Sequence, residues 1–89
     1  MMWYCTSVKS ENIRFPKTLD MLGFETFASY GCIRTFESEY FCDVEEVTDC
    51  LVEMGIEFTF EVLPDYGNVS RLVYDKVGYL EYKKKMNEL

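Results

Sequence analysis

The sequence predicts one α+β domain, a two-layer sandwich with an antiparallel sheet of 4–5 strands and a helix over 43–54 packed on one face. Three observations predict it. Residues 56–62 (IEFTFEV) alternate apolar and polar without a break, the mark of a half-buried strand. Residues 44–54 divide at helical spacing into an apolar arc and an acidic arc. The chain has 89 residues, 48% hydrophobic and 17% aromatic, enough apolar surface for a core without a metal or disulfide.

Taken in order, residues 2–8 (MWYCTSV) read as a first strand, followed by the polar Ser10-Glu11-Asn12. Pro16 suits the first turn of a short helix over 16–22, with Leu19 and Leu22 on one side and Gly23 as its stop. From Phe24 to Cys42 the pattern is extended, and Gly31 places a hairpin turn near Tyr30-Gly31. In the second arm, 32–42, Phe36, Tyr40 and Cys42 share one face and Glu37 and Glu39 the other. Asp43 is placed to cap the next helix, and Glu46 completes a capping box in which Asp replaces Ser or Thr.

In that helix Val44, Val47, Thr48, Cys50, Leu51, Val52 and Met54 fill one arc. Glu45, Glu46, Asp49 and Glu53 fill the other, and Gly55 ends the element. After the strand at 56–62, Pro64-Asp65-Tyr66-Gly67-Asn68 is a turn cluster, and 69–74 is the returning strand of a hairpin. Residues 76–88 fit either a helix or a strand followed by a tail, with Gly78 counting against the helix. The order of elements favours a ferredoxin-like topology over a plainer antiparallel sheet crossed by one helix.

The charge is segregated. The formal net charge is −7, yet residues 35–70 contain ten carboxylates and no lysine or arginine. The flanks, 1–34 and 71–89, sum to +1 and +2. A field of this sign repels phosphate, so Arg14-Phe15 and Arg34-Thr35-Phe36 do not indicate direct nucleic-acid binding. No apolar run approaches the roughly 18–20 residues of a membrane helix, and no basic-then-apolar leader opens the chain. The expected location is the cytosol (the host cytosol for a phage-encoded protein), with Cys5, Cys32, Cys42 and Cys50 reduced and mostly buried.

The chain holds no histidine, which removes the commonest acid–base side chain and both Ser-His and Cys-His pairs. The cysteines lack the close pairing of zinc sites, and Asp43, Glu45 and Glu46 lack the spacing of a calcium loop, so no metal and no cofactor is expected. Paired carboxylates of the kind that hydrolyse glycosides need a cleft that so short a chain rarely forms. Cys42 stands at a helix start, but the acids around it disfavour a thiolate. The expectation is a protein that is not an enzyme.

What remains is a surface. Glu37, Glu39, Glu45, Glu46, Asp49, Glu53, Glu57, Glu61, Asp65 and Tyr66 are the candidate partner-binding residues. On the helix, acids four apart step about 6 Å along the axis; on the strand, Glu57 and Glu61 stand roughly 13 Å apart. DNA carries one charge per about 1.7 Å of axis, so a dense carboxylate array can imitate part of a phosphate backbone. The plainer reading is that these acids solvate outer faces, and one broad patch and two opposite ones are both open. Tyr74, Tyr79 and Tyr82 add contact surface or core.

The leading expectation is therefore a small acidic inhibitor of the anti-CRISPR or antirestriction type, from a phage or mobile element. It would occupy the basic surface of a nucleic-acid-binding protein. The alternative is a ferredoxin-like regulatory or assembly domain that homodimerises through its sheet.

Overall fold

The structure, a computed structural model, describes residues 4–26, 28–64 and 72–88. The elements are β1 (Tyr4–Ser10), α1 (Phe15–Leu22), β2 (Ala28–Tyr30), β3 (Ile33–Ser38), α2 (Phe41–Met54), β4 (Thr59–Pro64), β5 (Leu72–Tyr74) and α3 (Lys76–Glu88). The strands form one antiparallel sheet in the order β2-β3-β1-β4-β5. This is the two-layer α+β arrangement that the periodicities predict.

Register decides which side chains meet. Val8 lies opposite Phe36 on one side and Phe60 on the other, and Thr6 opposite Ser38 and Val62. Side chains alternate across a strand, so this set faces one way while Ser7 and Lys9 face the other. The helices close over the first face with Phe15 and Leu19 of α1, Val44, Val47 and Leu51 of α2, and Tyr79 of α3, all fully buried. Phe60 sits among Tyr79, Tyr82, Tyr74 and Phe41, with ring centroids 4.9, 5.3, 6.0 and 6.4 Å away. Each such pair contributes about 0.5–1.5 kcal/mol beyond area burial. All three helices thus lie on one face, and no described element covers the other.

Two helix stops form as expected: Gly23 and Gly55 adopt left-handed φ of 86° and 69°. The start of α2 differs. The helix begins at Phe41, with Tyr40 as its extended N-cap, and the capping box of Asp43 and Glu46 does not form. The cause lies in Ser38, the last residue of β3. Its hydroxyl oxygen accepts the Tyr40 amide at 3.0 Å and its proton goes to Asp43 Oδ2 at 3.2 Å, which turns the chain early. The extended arm therefore stops at 38. Tyr40 and Cys42 are exposed rather than aligned with Phe36, and Phe41 packs against the core.

Of residues 56–62, Ile56, Phe58, Phe60 and Val62 are buried as the alternation predicts and Glu57 is exposed, but Glu61 is buried too, and the ladder itself starts at Thr59. Most of the turn cluster and the first part of the returning strand fall outside the described residues. Residues 76–88, undecided from sequence, form a helix. Asp75 starts it by accepting the Gly78 amide on Oδ1 at 2.8 Å. The thiols are less buried than expected: Cys32, in the hairpin turn, and Cys42, in the first turn of α2, are exposed, and Cys50 is half-buried. Among the described residues, no helix is long and apolar enough to cross a membrane.

Candidate interaction surface

The structure sorts the acidic residues into three groups. Glu45 and Asp49, one turn apart on α2 and both half-exposed, meet a lysine of α3. Lys83 Nζ lies 2.6 Å from Asp49 Oδ2 and 3.9 Å from Glu45 Oε2. The Tyr79 hydroxyl donates to Asp49 Oδ1 at 3.1 Å. Burial pushes the Tyr79 hydroxyl pKa up, and the Asp49 charge adds to the effect. These two acids, expected in the partner surface, also fasten one helix to another. The cation that meets them is 34 residues from Asp49 along the chain.

Glu46 and Glu53 form the second group. Both are exposed, and among the described residues neither makes an ion pair. They stand seven positions apart on the outer ridge of α2, about 10.5 Å along its axis. Glu39 is also exposed, in the link between β3 and α2.

The third group belongs to the sheet face that no described element covers. Ser7 pairs in register with Glu37 on one side and Glu61 on the other, so both carboxylate residues project away from the helices. Glu37 is exposed, whereas Glu61 is 9% exposed and held among its neighbours. The helical ridge and this set lie on opposite sides of the sheet, so the acids make two surfaces rather than one patch. Asp65 and Tyr66 fall outside the described residues.

Near the end of β1 the molecule is hollowed. A depression of about 550 Å³ is lined by Lys9, Glu11, Ile33, Glu57, Phe58 and Asp75, among others. Its shape follows from one clip. Ser10 Oγ donates to the Glu57 carbonyl at 2.6 Å and accepts the Asn12 amide at 3.1 Å. Asn12 Oδ1 in turn accepts the Arg14 amide at 2.9 Å. The loop after β1 is thereby tied to the start of β4, with exposed Glu11 and Glu57 at the mouth and Ile33 and Phe58 as apolar lining.

Glu11 and Asp75 belong to this site and are absent from the sequence-derived set. Neither sits in the acidic run, and only the pairing of distant strands brings them beside Glu57. Apolar lining rimmed by carboxylates suits a cation carried on an apolar stem. Among the described residues, no three Cys, Asp or Glu side chains converge as metal ligands. Comparison of the chain with protein-family models, with curated proteins and with solved structures finds no match.

Proposed function

We propose that this chain is a non-enzymatic module that binds a basic protein partner on the open face of its sheet. One observation carries the reading. The face that no described element covers presents Glu37, and its hollowed end adds Glu11, Glu57 and Asp75 against Lys9 as the one cation among the described lining residues. Uncompensated charge on a free surface speeds encounter with an oppositely charged partner and makes it sensitive to salt. A partner that normally holds nucleic acid suits this field, because its basic groove is built for phosphate spacing. An inhibitor occupying such a groove in a cytosol, where Cys32 and Cys42 stay reduced, is the concrete form. The strand order β2-β3-β1-β4 supports the ferredoxin-like arrangement as its scaffold.

The test compares two double charge reversals as bait in extract from the organism that encodes the chain, read by mass spectrometry at low and high salt. Glu37→Lys with Glu57→Lys should lose a basic protein that the unaltered chain retains at low salt. Glu46→Lys with Glu53→Lys, on the helical ridge, should keep it. Equal capture by the sheet-face variant, or capture indifferent to salt, would reject the reading.

A further inference from the structure

We infer that the depression at the end of β1 receives an arginine side chain of the basic partner, an inference that rests on the reading above and names the group it recognises. The charge is lopsided: among the described residues that line the depression, Glu11, Glu57 and Asp75 are set against one cation, Lys9. Glu11 and Glu57 are exposed and, among the described residues, make no ion pair. Asp75 commits Oδ1 to the Gly78 amide, leaving Oδ2 to accept another donor. Ile33 and Phe58 offer apolar lining to the methylenes of a long cationic side chain. The volume, about 550 Å³, lies in the range of clefts that receive a ligand group.

Arginine fits this lining better than lysine. Its planar fork carries five donors and reaches two separated carboxylates at once, whereas an ammonium is a strongly hydrated point charge. The weakly hydrated guanidinium also loses less on leaving water for a half-enclosed site. A second copy of the chain is a poor occupant, because two molecules of net charge −7 repel and the mouth itself is acidic.

The experiment is a ¹⁵N-NMR titration of the intact chain with a capped Gly-Arg-Arg-Gly peptide and its lysine and citrulline counterparts. The arginine peptide should give saturable shifts at the amides of Glu11, Ile33, Phe58 and Thr59. The uncharged citrulline peptide should give none, and the lysine peptide should bind several-fold more weakly. Glu57→Gln, at an exposed position that leaves the fold intact, should weaken arginine binding by about three- to tenfold.

Shifts confined to Glu46 and Glu53, equal binding of the lysine peptide, or no saturable shift would each overturn the inference. The broader reading is judged separately. Salt-sensitive capture of a basic protein through the sheet face, without arginine binding, discards the arginine site alone; failure of the unaltered chain to capture any basic protein at low salt discards the reading as well.

Discussion

The hydroxyl of Tyr79 donates to Asp49 Oδ1 at 3.1 Å, while Lys83 holds the other oxygen of the same carboxylate at 2.6 Å. The Tyr79 ring is fully buried edge-on to Phe60 and Phe58, at 4.9 and 6.0 Å. Packing and hydrogen bonding therefore separate by substitution. Tyr79→Phe keeps the ring and leaves Asp49 its lysine, so urea denaturation at pH 7 should show a loss of about 1 kcal/mol. Tyr79→Ala removes the ring and should cost about 3–5 kcal/mol. Similar losses for the two would show that the ring contributes little.

The same hydroxyl predicts a pH dependence. Burial and the neighbouring Asp49 and Glu45 charges raise its folded pKa above the ordinary value near 10. The unfolded chain then releases this proton first, so the contribution is complete below about pH 10 and declines as pH climbs past it. From pH 9 to 11 the urea midpoint of the unaltered chain should fall more steeply than that of Tyr79→Phe. Parallel slopes would mean that other tyrosines and lysines account for the whole alkaline loss.

Gly78 is crowded by its neighbour rather than constrained by its own backbone. A Cβ there would stand 3.0 Å from Tyr74 Cβ and 3.2 Å from the Tyr74 ring. In an open helix, Gly→Ala would add about 1 kcal/mol of stability. Here the clash should reverse the sign, so Gly78→Ala is expected to lower the urea midpoint. An alanine variant more stable than the original would show that Tyr74 moves aside at little cost.

That glycine also explains part of what the sequence hides. Gly78 weakens the helical pattern of 76–88 in the sequence, although Asp75 three residues before it is a capping signal. Local patterns were legible: the apolar arc of α2, the alternation from Ile56 to Val62, and the stops at Gly23 and Gly55 all depend on near neighbours. The start of α2 was not, because Ser38 turns the chain where the ladder with β1 ends, and that register joins segments about 30 residues apart. The surface followed the same division. The outward face of Glu37 could be read from strand parity. The attachment of Glu45 and Asp49 to Lys83, and the meeting of Glu11, Glu57 and Asp75, arise from pairing between distant segments.

Charge segregation makes the fold itself responsive to salt. Among the described residues Glu37, Glu39, Glu46, Glu53 and Glu57 are exposed without an ion pair, and the whole chain carries −7. The molecule measures 34 × 26 × 21 Å, so at about 10 mM ionic strength, where the Debye length is about 30 Å, most carboxylates repel one another across it. At 0.15 M that length shrinks to about 8 Å and only neighbours interact. Raising sodium chloride from about 10 to 150 mM should therefore raise the urea midpoint. The contact of Lys83 with Asp49 and Glu45 opposes this trend, because salt also weakens an attraction between half-exposed partners, one worth no more than about 1 kcal/mol. Lys83→Met deletes that attraction and one positive charge, leaving repulsion alone for salt to screen. Its midpoint should start lower and climb more steeply than that of the unaltered chain. A midpoint that falls with salt in both proteins would mean that the exposed carboxylates do not strain the fold, and that attraction between helices outweighs repulsion across the surface.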